Sequence, residues 1–150
     1  MEAKDFLKQL KKIDRLIENK MIEQAQWKAI ATSTASFSEG ERVQSSGSQQ
    51  KMADAVCRYM DIEAEINHYI DKLVDAKMDV IKVIEMLDLT EYDLLHKMYV
   101  QYLTFDDVAE AYGKSYSWAT TIHGRALKKV QRILDEREEK RKWLMEKEIR

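Results

Sequence analysis

With 150 residues, the chain has room for one ordinary domain carrying a helical appendage and no room for two large catalytic domains. Four Gly, no Pro and eight Met, in a sequence 45% hydrophobic and 35% charged, leave too few turn-formers for an all-β fold and favour an all-α one. The formal charge of −2 points neither toward nor away from nucleic acid, and the lone Cys57 excludes an intrachain disulfide and a cysteine-rich zinc site. Cys57 reads as a small buried hydrophobe beside Val56, in keeping with a reducing compartment. No run approaches the roughly 18 apolar residues of a membrane span, and the charged, amphipathic start does not read as a signal peptide, so a soluble, cytoplasmic chain without a membrane partner is expected.

Over residues 5–32, Phe6, Leu10, Ile13 and Ile17 recur at spacings of three and four, with Leu7, Leu16, Met21, Ile22, Trp27 and Ile30 widening the stripe, which predicts an amphipathic helix. Residues 33–50 hold two glycines and six serines and lack a period, so they read as a mobile linker. A second stripe over residues 51–87 runs through Met52, Val56, Tyr59, Ile62, Ile66, Tyr69 or Ile70, Leu73, Val80, Ile84 and Leu87. Two such helices bury their stripes either by folding back within one chain as a hairpin or by pairing between two chains as a coiled-coil homodimer. The expected domains are therefore a helical hairpin or coiled coil over residues 1–87, a compact body over 88–134 and a charged helical tail over 135–150.

In the compact body, Thr90 followed by Asp93 predicts a capped helix over residues 91–102. Thr104 followed by Asp107 predicts another cap, opening a short helix through Val108, Ala109 and Tyr112 that stops at Gly113. Ser115 then caps a longer helix whose Ala119, Ile122, Ala126, Leu127 and Val130 face inward. A short helix, a glycine turn and a serine-capped second helix make a helix-turn-helix, the arrangement that presents its second helix to a DNA major groove.

Charge follows the same division. Residues 111–134 contain Lys114, Arg125, Lys128, Lys129 and Arg132 and no acid, whereas residues 85–110 contain seven acids and one Lys. The residues 135–150 balance six cations with six acids and read as a solvated helix. Five cations in 24 residues with no acid point to a polyanion rather than to an ordinary wet face. Helical spacing places Ser117, Thr120, Thr121, Gly124 and Lys128 on an outward face suited to base edges, and Trp118, Arg125, Lys129 and Arg132 on a flank suited to phosphates. Trp118 is read equally well as a groove contact or as a lid on the domain's core.

The phrases Tyr92-Asp93-Leu94-Leu95, Leu103-Thr104-Phe105-Asp106-Asp107-Val108-Ala109-Glu110, Gly113-Lys114-Ser115 and Ile122-His123-Gly124-Arg125-Ala126-Leu127-Lys128-Lys129-Val130 resemble region 4 of bacterial sigma-70 factors over about 45 of the 150 residues. The whole chain, with Arg42-Val43-Gln44-Ser45-Ser46-Gly47 and Glu63-Ala64-Glu65-Ile66-Asn67, is similar to phage and prophage regulators of the ArpU and RinA late-gene activator type. The resemblance implies transcription control in the cytoplasm of a bacterial host, with double-stranded DNA and RNA polymerase as partners. It also implies that Thr104 touches the DNA backbone and that Ser117, Trp118, Thr120 and Thr121 face the groove. Sigma recognition helices carry charged or amide side chains at those four positions, so sigma promoter specificity does not carry over. The residues read directly give Lys114, Ser115, Tyr116, Ser117, Trp118, Thr120, Thr121, Arg125, Lys128, Lys129 and Arg132 as DNA contacts, to which the resemblance adds Thr104.

Two other classes fit the same features. One is a DNA-packaging protein of the small-terminase kind, which also joins a helix-turn-helix to long helices. The other is a sigma-like module that docks on polymerase or another protein through its acidic window and binds DNA weakly. An enzyme is the weakest class, because no phosphate-cradling Gly-rich loop, nucleophile elbow or His-Glu-x-x-His occurs and nothing calls for a cofactor. His68, His96 and His123 lack metal-ligand spacing and read as surface or partly buried side chains, with His123 near phosphate by position alone.

Overall fold

Without proline and with glycine confined to a few positions, nothing interrupts long helical runs, and every regular element among the described residues is a helix. The computed structural model describes residues 1–36 and 46–150. Helix α1 spans Ala3–Ser36, α2 Ser46–Ile84, α3 Leu89–Leu95, α4 Phe105–Tyr112 and α5 Tyr116–Glu148. The expected linker is shorter at both ends, since residues 33–36 and 46–50 are helical; its middle, residues 37–45, lies outside the described residues. No helix is long and apolar enough to cross a membrane among the described residues. The chain divides into two compact units, Ile13–Leu73 and Met1–Lys12 with Val74–Arg150.

In the Ile13–Leu73 unit, Lys20 Nζ lies 2.8 Å from Glu65 and Arg58 lies 3.2 Å from Glu23. A higher number on α1 thus meets a lower number on α2, the sense of antiparallel helices. Burial on α2 follows Ala55, Ile62 and Ile66, with Tyr59, Tyr69 and Leu73 half-covered, at spacings of four and three. That phase corrects the expected stripe: Ala55 is inside while Val56 and Cys57 are exposed. The wide stripe of α1 is corrected too, because Met21, Ile22 and Ile30 are exposed. Their positions spread around more of the helix than one neighbouring helix covers.

The other unit buries Ala3, Phe6, Leu7 and Leu10 of α1 together with Val80, Val83 and Ile84 of α2, Leu94 and Leu95 of α3, Val108 and Ala109 of α4, and Ala119, Ala126 and Val130 of α5. The start of α1 is tied to α5 directly, since the Ala3 amide donates to Gln131 Oε1 at 2.7 Å. Helix α3 departs from expectation at both ends. It starts at Leu89 with Asp88 in the cap position, and Asp88 makes no side-chain cap because its carboxylate receives Lys129 Nζ at 3.0 Å. Nor does the α-helix run on through residue 102: from His96 to Val100 the backbone widens into a π-turn, with the Gln101 amide reaching back to the His96 carbonyl at 3.0 Å. Tyr102 then takes φ 60°, a left-handed conformation unusual for a side chain of that size.

From there the sequence punctuation is obeyed. The Thr104 hydroxyl accepts from the Asp107 amide at 3.2 Å and the Asp107 carboxylate accepts from the Thr104 amide at 2.9 Å, a complete capping box. Gly113 stands at φ 61°, which ends α4 in the left-handed conformation a glycine adopts without steric cost. Ser115 Oγ accepts from the Trp118 amide at 3.1 Å and opens α5. On α5, Ala119, Ala126 and Val130 are fully buried, while Ile122 and Leu127 are only half-covered.

Replacing Thr104 by Ala is expected to lower unfolding stability by about 1 kcal/mol and Thr104→Ser to restore most of it, as measured by urea denaturation. Leu10→Ala should cost roughly 2–5 kcal/mol, because Leu10 is only 1% exposed. A loss within a few tenths of a kcal/mol would place Leu10 outside the core.

Candidate nucleic-acid interface

The turn at Gly113 and the cap at Ser115 launch α5 so that one side closes the core and the other faces water. Positions three and four apart share a helical face, so Ser117, Thr121, Arg125, Lys128 and Arg132 lie along one side of α5, and all five are exposed. Lys114 is exposed on the turn, as are Ser115, Tyr116 and, before α4, Thr104. No ion pair or hydrogen bond engages Lys114, Arg125, Lys128 or Arg132 among the described residues. Their four charges are turned to solvent.

Other members of the expected set are used inside the fold. Lys129 Nζ lies 3.0 Å from Asp88 and 2.9 Å from both oxygens of Glu91, and these bonds, Glu91 first, hold its pKa above the ordinary lysine value. Glu91 is 7% exposed, and a carboxylate so placed needs a cation beside it. The Lys129 charge is therefore already met by two acids. Trp118 is half-buried with its ring 5.1 Å from that of Tyr112, the position of a lid over the domain. Tyr116 packs edge-on against Phe105 at 5.6 Å and stays largely exposed. The Thr120 and Thr121 hydroxyls donate back to the Ser117 carbonyl at 3.0 and 2.8 Å, which leaves each oxygen only as an acceptor for anything outside.

The neighbouring acids are similarly occupied. Asp93 accepts from Tyr112 Oη and from Lys97 Nζ, and these bonds, the tyrosine's first, hold its carboxyl below the usual range. Asp107 is likewise lowered by its bonds to Thr104. Glu85, Asp106 and Glu110 remain exposed.

His123, read from the sequence as a surface or partly buried side chain near phosphate by position alone, is buried at 8% exposure. Its Nε2 shares a 2.7 Å hydrogen bond with Tyr99 Oη, and its ring meets the edge of Phe105 at 5.0 Å. The signal that would have found it is helical register: 119, 123, 126 and 130 continue one face, and the histidine takes the place of an apolar residue there. Burial, aided by the positive charge of Lys4, depresses the His123 pKa, and burial pushes the Tyr99 hydroxyl up to about 12. No group of three His, Cys, Asp or Glu able to hold a metal ion occurs among the described residues.

Because the His123 pKa is lower folded than unfolded, its neutral form contributes stability that is complete above the unfolded value of about 6.5 and is lost as pH falls through the folded value. The urea midpoint should thus decline as pH falls below about 7, before Asp93 and Asp107 lose their contribution, and His123→Gln should flatten that decline. An unchanged slope would mean that His123 titrates alike in both states. Compared with known proteins, the chain matches no family model, no curated protein and no solved structure.

Proposed function

We propose that this chain is a DNA-binding transcription regulator, of the phage late-gene activator kind that its sequence resembles, in which α4, the Gly113 turn and α5 act as a helix-turn-helix. The observation that carries the reading is the set Lys114, Arg125, Lys128 and Arg132, four exposed cations on the turn and one side of α5 with no acid engaged to any of them among the described residues. Such charges displace counterions from duplex DNA and supply affinity that is independent of sequence.

Magnitudes divide the labour along the helix. Residue 117 to residue 132 spans roughly 22 Å at about 1.5 Å per residue, more than the roughly 12 Å width of the major groove. Ser115, Tyr116, Ser117, Thr120 and Thr121 at the start of α5 therefore face base edges, and Arg125, Lys128 and Arg132 meet the sugar-phosphate wall. Lys129 supports the fold rather than the DNA. With Thr120 and Thr121 limited to accepting, base discrimination is modest compared with a bidentate arginine or asparagine.

The long helices belong to one chain in this reading. The antiparallel pairs Lys20 with Glu65 and Arg58 with Glu23 support a hairpin, so a homodimer would use the outer side of α2, where Val56, Met60 and Ile70 are exposed. RNA polymerase remains the expected protein partner in the bacterial cytoplasm. A role confined to protein docking through the acidic window is the weaker reading. Four of its seven acids, Asp88, Glu91, Asp93 and Asp107, are engaged within the fold.

Selection from a random duplex pool at physiological salt should enrich one motif over non-specific DNA by roughly a thousandfold or more. Arg125→Ala with Lys128→Ala should weaken binding to all sequences alike and reduce the slope of log affinity against log salt by about 2. No enrichment together with an unchanged slope would overturn the proposal.

A further inference from the structure

Away from the exposed side of α5, the unit formed by Met1–Lys12 and Val74–Arg150 contains a cleft of about 490 Å³. Its volume lies within the roughly 300–1,000 Å³ of small-ligand sites. Its two walls differ in chemistry. One is the face of α1 that carries Lys4, Lys8 and Lys11, spaced four and three apart so that their ammonium groups line one side. None of these lysines is ion-paired to a carboxylate among the described residues, and Lys11 Nζ stands 5.9 Å above the Tyr102 ring. The other wall is aromatic, made by Tyr99, Tyr102 and Phe105, with His123 between them.

The backbone under the aromatic wall is irregular in two ways that a plain helix–loop connection does not need. The π-turn His96–Val100 carries Tyr99, and Tyr102 holds φ 60°. Such turns and left-handed non-glycine residues concentrate at ligand sites, where surrounding contacts hold them in place. Between the walls sits a polar pair, Tyr99 Oη with His123 Nε2 at 2.7 Å, which can present hydrogen-bonding capacity to a ligand's ring.

From this juxtaposition we infer that the cleft binds a small anion carried on a flat ring, a nucleoside phosphate in chemical class, with phosphate on Lys4, Lys8 and Lys11 and the ring against Tyr99, Tyr102 and Phe105. Three ammonium groups over about two helical turns suit a diphosphate better than a single carboxylate, since lysine acts on phosphate as a point charge. The ring wall explains why phosphate alone is an incomplete occupant. A concave site also suits a small molecule better than a DNA backbone, which the convex side of α5 meets. The inference stands apart from the DNA reading, because it uses none of the α5 cations.

The test is calorimetric titration of the full chain with adenosine diphosphate, adenosine and inorganic pyrophosphate. Adenosine diphosphate should bind at least tenfold more tightly than either part, and Lys4→Gln with Lys8→Gln should weaken it by roughly tenfold or more while the helical circular dichroism is unchanged. Arg125→Ala with Lys128→Ala should leave this binding as it was. Protection of Lys4 and Lys8 from amine acetylation by adenosine diphosphate would agree with the site. Absence of heat at millimolar adenosine diphosphate, equal binding by the lysine variant, or protection of these lysines by duplex DNA alone would overturn it.

Discussion

A buried hydrogen bond between Tyr99 and His123 joins the C-terminal elements at their centre. Two polar groups withdrawn from water must satisfy each other, at a penalty of about 1–3 kcal/mol for whichever is left unpaired. Tyr99 reaches His123 from the widened turn His96–Val100, and His123 stands inward on the face of α5 that places 119, 126 and 130 against the core. Phe105, at the first position of α4, then closes on the His123 edge. The bond thus links the π-turn to the inward face of α5, on which Ala119, Ala126 and Val130 are also buried, and Arg125, Lys128 and Arg132 lie on the opposite, exposed side.

A second constraint divides the charges. The window of acids and the window of cations lie next to each other in sequence, which by itself permits full mutual neutralisation. Only Lys129 is drawn inward, to the nearly buried Glu91 and to Asp88. The acids find other donors: a tyrosine and a lysine for Asp93, a backbone amide for Asp107. Local bonds and one cross-helix ion pair engage four of the seven acids, while Lys114, Arg125, Lys128 and Arg132 are left without an acidic partner among the described residues. This asymmetry is a property of the fold rather than of the net charge, which is close to zero.

Much of the local structure could be read from the residues alone, because its causes are local. The Thr104–Asp107 box, the glycine at 113 and the Ser115 cap each satisfy backbone groups within four residues, and the inward alanines 119 and 126 follow from helical period. What could not be read depends on contacts across long sequence separation. The Ala3 amide meets Gln131, Asp88 gives up its capping role to Lys129, and the register of α2 buries Ala55 where the larger Val56 was expected. Periodicity assigns a face but not the neighbour that covers it, and several candidate contacts, among them Lys129, Trp118 and the Thr120 and Thr121 hydroxyls, turn out to have partners within the chain.

The length of α5 has a further consequence. Its first half is held by buried Ala119, His123, Ala126 and Val130, but beyond Arg137, whose guanidinium reaches Asp79 at 2.8 Å, every residue is exposed. Past that point the helix rests on its own backbone bonds, the Glu138–Lys142 pair at 3.1 Å and Lys147 over the Trp143 ring at 4.0 Å. Increments of this kind are a few tenths of a kcal/mol each, too little to stop an unsupported end from fraying. Amide hydrogens in deuterated water would accordingly see α5 as two objects: a slow-exchanging segment around Ala126 that opens only with the domain, and an end that exchanges almost freely, its protection falling turn by turn toward Glu148.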